Sequence, residues 1–271
     1  MKPSLSFPYH DPTARLFPHL QAILPDLKAH FGRAYICPSP ETIQQAHILT
    51  ALKAEPFFTI FPADRPMRVG EHFKHTYLNT ALSAEPDEII HLAYVDRLSF
   101  ALEGIHREQF LADVDSLTLA DVPLLFHRSP RAWDTHPQNY ARLEGFVTRV
   151  GEQLFGKTLD YGWCHSVVCA GELRNVMPKV THPDISMVAE MVLHMQHHIH
   201  TREVDWLAWE DPFIFNRDAT ELKAERESSP REYEYRLAYC LPMVQALIQF
   251  AGAQTSGKEP TTQAPQERRA F

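Results

Sequence analysis

No apolar stretch in the sequence approaches the roughly 18 residues a helix needs to cross a bilayer, and the opening Met1-Lys2-Pro3-Ser4-Leu5-Ser6-Phe7-Pro8 has no apolar signal core. A membrane span is therefore not expected, and a cytoplasmic location is. Cysteine is scarce: Cys37, Cys164, Cys169 and Cys240, without a Cys-x-x-Cys pair, are too few for a disulfide framework and read as reduced thiols. Cys164 and Cys169 are placed to face each other near a strand, but two thiols alone make an incomplete metal site. Glycine-rich phosphate loops are missing, with neither Gly-x-Gly-x-x-Gly nor Gly-Lys-Ser/Thr, which removes the main support for dinucleotide oxidoreductases and P-loop ATPases. Gly-x-Ser-x-Gly is absent too, so hydrolysis by a serine on a nucleophile elbow is unsupported. Basic residues are outnumbered, 26 Lys and Arg against 34 Asp and Glu, and a net charge of −8 leaves no electrostatic footprint for nucleic acid. No repeat of solenoid length is visible.

What is present is ordinary globular material: 271 residues, 44% hydrophobic and 22% charged, enough for one sizeable core. Strand-like and helix-like periods alternate. A short strand at 5–7 leads to helical spacing over 16–31, a strand at 34–37 to a helix over 41–54 capped by Ser39, and a strand at 57–61 to a helix over 70–82. A fourth strand is expected over 88–95, followed by helical spacing over 98–117. Further strands are expected at 122–126, 161–169 and 204–209, with helices over 137–155, 186–198 and 231–250; Gly156 suits a left-handed helix end, and Thr135 reads as the cap of the helix from Pro137. The charged stretch 221–229 reads as a solvated face or loop, and residues 253–271, rich in Ser, Gly, Pro, Thr and Gln, as a disordered tail. The expectation is one α/β domain over 1–252 with an open, mostly parallel sheet.

Several strings carry a resemblance. Phe7-Pro8-Tyr9-His10-Asp11-Pro12, Arg68-Val69-Gly70 opening a helix, and Ala93-Tyr94-Val95-Asp96-Arg97 closing a strand, followed by Gly162-Trp163-Cys164-His165, the acidic 184–190 segment and 204–209, resemble a GT-A nucleotide-sugar glycosyltransferase over roughly residues 4–215. The resemblance implies a nucleoside-diphosphate sugar donor, an acceptor the sequence does not identify, and a divalent cation, Mg or Mn, on an Asp-x-Asp motif at the end of the fourth strand. Here those positions read Tyr94-Val95-Asp96, so the first carboxylate is absent and Asp96 is the remaining metal candidate. The alternative implied is a GT-A-like protein that binds a nucleotide or a partner without turnover.

Parallel open sheets place ligands beyond the carboxyl ends of their strands. Tyr9, His10 and Asp11 follow the first strand, Asp64, Arg65 and Arg68 the third, and Asp96 and Arg97 the fourth, and these are expected to share one polar cleft and hold the donor. Arg68 is the leading phosphate candidate in a donor set of Tyr9, His10, Asp11, Arg65, Arg68 and Arg97. Asp184 and Glu190 are the candidate catalytic bases, although Asp184 near a helix start also reads as a cap. Trp209, with Glu210 and Asp211 after it, reads as core and strand-end turn, with sugar stacking on Trp209 as a second role. Leu193-His194-Met195-Gln196-His197-His198 offers a separate reading: on one helix, His194, His197 and His198 share a face and suit a transition metal or, at a helix end, the helix dipole.

Overall fold

The computed structural model describes residues 2–162 and 165–256. The chain runs β1 (Ser4–Tyr9), α1 (Phe17–His30), β2 (Ala34–Pro38), the short α2 (Pro40–Ile43), α3 (Ala46–Ala54), β3 (Phe58–Ile60), α4 (Val69–Ser83), β4 (Ile89–Leu92), α5 (Val95–Glu103) and α6 (Arg107–Asp115). It continues through β5 (Leu124–Arg128), α7 (Pro130–Thr135), α8 (Gln138–Phe155), β6 (Ser166–Cys169), α9 (Ala170–Val176), α10 (Met187–Met195), β7 (His200–Val204), α11 (Asp211–Ile214), α12 (Ala219–Ser228) and α13 (Pro230–Ser256).

The strands form a seven-stranded sheet in the order β3-β2-β1-β4-β6-β5-β7. β6 runs antiparallel to both β4 and β5, and the remaining pairs are parallel. The sheet is buried on both faces because successive side chains point to opposite sides. Leu5, Phe7, Ala34, Ile36, Leu124, Phe126 and Val167 meet α1, α3, α5 and α6 on one face. Tyr35, Ile90, Leu92, Leu125 and Val168 meet α4, α9, α10 and α13 on the other. On that second face the polar Ser6 faces Thr80 of α4 at 2.7 Å, so two small side chains satisfy each other where the helix lies close to β1.

Several boundaries differ from the sequence expectation. β4 ends at Leu92, three residues early, and Val95 already opens α5, so Asp96 stands in the first turn of a helix rather than at a strand end. β7 lies at 200–204, and residues 205–209 turn away from the sheet where a strand was expected. The charged 221–229 stretch lies largely in α12, whose Asp218 side chain accepts from the Thr220 and Glu221 amides. Thr135 ends α7 instead of capping α8, and its hydroxyl accepts the Trp209 amide at 2.8 Å. Gly156 closes α8 at φ 66°, as expected. Residues 253–256 continue α13, while residues 257–271 of the expected tail lie outside the described residues. Trp163 and Cys164 are outside them too, and with them any facing of Cys164 and Cys169.

An aromatic cluster at the centre of the first face holds two fully buried histidines. The His91 ring lies among Phe31, Phe110, Phe126, Trp206 and His165, with centroids 5.5–6.3 Å away. Burial drives the His91 pKa down to about 3, and His165 is held well below its ordinary value by burial and then by His91. Both imidazoles are neutral in the native state, whereas the unfolded chain takes up protons near pH 6.5. Stability is therefore fully present above that pH and is lost below it, at ~1.4 kcal/mol per pH unit per histidine. Urea unfolding of wild type and His91→Phe at roughly pH 7.5 and 5.5 should show the variant losing about 1.4 kcal/mol less between the two conditions. Equal losses would show that His91 is not neutral in the fold.

Candidate functional site

In this strand order the chain reverses direction of travel between β1 and β4, and the loops that leave those two strands part there. A cavity of about 310 Å³ opens at that point, lined by Tyr9 at the end of β1 and His10 after it, Ser39 and Glu41 after β2, Ala63 after β3, Met67, His72 and Phe73 from the α4 region, and Tyr94 and Asp96 after β4. Among the described residues no arginine or lysine lines it. The His10 ring meets the Ser39 hydroxyl at 2.9 Å and lies 3.8 Å from the Glu41 carboxylate. His72 Nε2 donates to the Cys37 carbonyl at 2.8 Å, which leaves Nδ1 as the lone-pair nitrogen, and burial lowers its pKa. This is a pocket of hydrogen-bonding groups around an apolar wall.

Tyr94 and Asp96 also line a second, larger cavity of about 550 Å³ on the other side of the β4–α5 turn. Its walls come from the end of β5, from His136 just after α7, from α8, from the loop between β7 and α11, and from α12 and the first turns of α13. Five arginines (Arg97, Arg128, Arg226, Arg231, Arg236) and five carboxylates (Asp96, Glu144, Glu210, Asp211, Glu232) face it, together with Tyr94, Tyr140, Trp209, Phe215, Tyr235 and Tyr239.

The floor is a buried ion network. Arg128, with no exposed side-chain surface, donates from Nε and Nη2 to both oxygens of Asp160 at 2.8 Å and from Nη1 to Glu144. Glu144 also takes Arg236 Nη1 at 2.6 Å, and burial of the whole group is offset by these pairings, which hold its carboxyl below the usual range despite desolvation. The Arg236 guanidinium stacks 3.7 Å from the Tyr140 ring, whose hydroxyl donates to Glu232 at 2.6 Å. Arg226 pairs with Glu232 and lies 3.5 Å from Asp211.

Arg97 joins the two loops that flank the cavity. Its guanidinium donates to the Leu207 and Ala208 carbonyls and pairs with Glu210, while its backbone amide donates to Asp96 Oδ1 at 2.8 Å. Burial raises the Asp96 pKa against the pull of Arg97, with Asp211 adding repulsion. Burial likewise pushes Glu210 up to about 8, with Arg97 opposing and Asp96 and Asp211 contributing. Three carboxylates and one guanidinium thus crowd the floor where the two cavities meet.

The sequence-derived candidates divide. Tyr9, His10 and Asp96 line a cavity, and Arg97 lines the larger one, where its guanidinium is committed to loop carbonyls and Glu210. Asp11 does not reach either cavity: its buried carboxylate accepts the Arg15, Leu16 and Phe17 amides at 2.8–3.0 Å and the Tyr9 hydroxyl at 3.0 Å, so it ties β1 to the start of α1. Arg65 and Arg68 point to solvent and pair with Glu71, although Met67 and Val69 beside Arg68 do line the smaller cavity. Gly70 serves packing, because a Cβ there would stand 2.0 Å from the Asp184 carbonyl. Asp184 accepts the Ser186 amide at 2.9 Å, and Glu190 accepts the Thr181 and His182 amides at 2.7 and 3.0 Å; neither lines a cavity, and both shape the turn before α10. The histidine run is split, since α10 ends at Met195: His194 meets Phe250 edge to face, His197 is exposed, and His198 meets Glu172 at 3.2 Å. The shared helical face expected for His194, His197 and His198 is therefore not formed.

Sequence reasoning passed over Glu210, Asp211, Arg226, Arg231, Glu232, Tyr235 and Arg236. Their signal was present as an acidic pair after Trp209, in a segment read as a strand-end turn, and as the Arg and Tyr spacing of Arg231-Glu232-Tyr233-Glu234-Tyr235-Arg236, at the start of a helix read without a role in a site. Among the described residues no group of three or more His, Cys, Asp or Glu is disposed to hold a metal ion, and no helix is long and apolar enough to cross a membrane.

The fold and cavity together define an α/β domain with a seven-stranded, mostly parallel mixed sheet and a two-chambered cleft along its carboxyl edge. No family model matches the sequence, and no curated protein does. Among solved structures the chain is similar to that of S. aureus TarS 1–349, at 14% identity and a TM-score of 0.48, over 95% of this chain and 74% of that one. The superposition is loose, and the fold class rests on strand order and direction.

Two substitutions separate framework from site. Arg128→Met strands Asp160 and half of Glu144 without a partner in the interior, and should cost ~3–5 kcal/mol in chemical denaturation. Asp11→Ala removes a cap from three amides and should cost ~1–2 kcal/mol while leaving ligand-induced stabilisation unchanged; a variant as stable as the parent would show those amides to be satisfied by water.

Proposed function

We propose that this protein is a glycosyltransferase that takes a sugar from a nucleoside-diphosphate donor. The observation that carries the reading is the pair of cavities meeting at Tyr94 and Asp96. The smaller one, without arginine or lysine and with hydrogen-bonding groups on an apolar wall, suits a nucleoside; the larger, with guanidinium groups and many aromatic rings, suits diphosphate, sugar and acceptor. A donor lying across the β4–α5 turn brings its anomeric carbon over the floor of the larger cavity.

Inverting transfer needs a carboxylate base near the acceptor hydroxyl. Of the five carboxylates that line the larger cavity, Glu144 is held by Arg128 and Arg236, Glu232 by Arg226 and Tyr140, Glu210 by Arg97, and Asp96 by the Arg97 backbone amide. Asp211 has one looser contact, 3.5 Å from Arg226, and is the base in this reading. It takes the acceptor proton as the acceptor oxygen bonds to the anomeric carbon, and the bond from that carbon to the diphosphate oxygen breaks with its electron pair going to the leaving group. This assignment replaces Asp184 and Glu190, whose oxygens accept backbone amides outside the cleft.

A thermal-shift panel of nucleoside diphosphates and nucleotide sugars tests the donor assignment: a true donor at a hundred times its dissociation constant should stabilise the fold by ~2.7 kcal/mol. No response from any member would remove the basis for transfer. With a donor in hand, Asp211→Asn should lower turnover by ~10²–10⁴-fold with little change in donor affinity; donor binding with no turnover in the parent would favour a protein that binds a nucleotide without transferring its sugar.

A further inference from the structure

Diphosphate chemistry on an open α/β sheet commonly relies on a divalent cation, and the residues of this cleft do not fit one. The turn after β4 presents Ala93, Tyr94, Val95 and Asp96, so one carboxylate is all it offers. That carboxylate already accepts the Arg97 amide and is desolvated, with its pKa raised, which makes it a poor ligand for a hard cation. The other two carboxylates on the floor face arginine: Glu210 is paired with Arg97, and Asp211 lies beside Arg226. Guanidinium groups thus stand where a cation would be drawn.

We propose that the diphosphate is held without a metal, by Arg231 and Arg226 on the two sides of the α12–α13 turn. This rests on the donor reading for the identity of the ligand, but the anion site is defined by its own geometry. Arg231 lines the cavity and is exposed, and among the described residues it has no hydrogen-bond or ion-pair partner, unlike the other four lining arginines. An arginine kept at a cavity mouth without a carboxylate is free to fork two hydrogen bonds onto a phosphate. Arg226, part exposed, is shared between Asp211 and Glu232, so turning to a phosphate costs one of two contacts. The balance of charge follows the same line. Five arginines face five carboxylates, and Arg231 is the one of the five arginines with no carboxylate beside it among the described residues. Tyr235, one turn after Arg231 on α13, also lines the mouth and packs the approach.

The test is calorimetric titration of the whole protein with inorganic pyrophosphate, in EDTA and again with excess manganese. Binding in EDTA, altered less than about threefold by manganese, is expected, and Arg231→Ala should weaken it at least about tenfold with Arg231→Lys recovering part of the loss. Arg231 is exposed and unpaired, so its replacement does not endanger the fold, and a matched melting temperature checks that. Asp96→Asn separates the two chemistries: affinity holds or rises if arginine carries the anion, and collapses if a cation does. Binding seen only with manganese, binding indifferent to Arg231, or no binding in either buffer overturns the proposal. Repeating the titration with nucleoside diphosphates keeps the two ideas apart. Pyrophosphate binding without nucleotide binding sinks the donor reading and leaves the arginine site standing; nucleotide binding that requires manganese does the reverse.

Discussion

The buried guanidinium of Arg97 fastens together two loops that come from opposite halves of the sheet. It leaves α5 in the turn that carries Asp96, reaches the Leu207 and Ala208 carbonyls, and closes on Glu210. With Trp206 in the aromatic cluster and the Trp209 amide on Thr135, that crossing holds the loop after β7 against the turn after β4, so that Asp96 and Asp211 share a floor. A buried arginine is expensive to desolvate, and here it is compensated by two carbonyls and one carboxylate. The antiparallel β6 makes the crossing possible, because it sits between β4 and β5 and thereby sets the carboxyl ends of β4, β5 and β7 along one edge.

A second set of buried charges supports this one from below. Arg128, Asp160, Glu144 and Arg236 link β5, the segment before β6, α8 and α13 into one block. Their value lies in geometry: ion pairs inside a protein add little net stability, but they fix where α13 lies relative to the sheet, and with it Arg231 and Tyr235. The smaller cavity has no such network. Its shape comes from packing of α4 and the strand ends, with Asp11 holding the start of α1 through three amides.

Much of the architecture was legible in the residues. Short, mainly apolar runs such as Leu5-Ser6-Phe7 and Ala34-Tyr35-Ile36-Cys37 mark strands buried on two faces, and the helices α1, α4, α8 and α13 all lie close to where their periodicity puts them. Boundaries failed where tertiary contacts decide them. Val95 has the branched side chain of a strand residue, yet the chain turns at Ala93 to begin α5, and residues 205–209 are drawn off the sheet by Trp206 entering the aromatic cluster and by Arg97. The site was half legible. Tyr9, His10 and Asp96 follow directly from the rule that strand ends bear ligands, but a charged residue in a loop carries no mark of its partner. Asp11, Arg68, Asp184 and Glu190 look the same in sequence as Asp211 and Arg231, and only their amide and carboxylate neighbours tell them apart.

The two chambers draw on different stretches of the chain. All residues lining the smaller one fall between Pro8 and Asp96, whereas the larger one begins at Tyr94 and is completed by Met243 on α13. Since chains emerge from the ribosome amino end first and fold in that order, the walls of the smaller chamber leave the ribosome long before α13 exists. The larger chamber has its last wall only once that final helix is made.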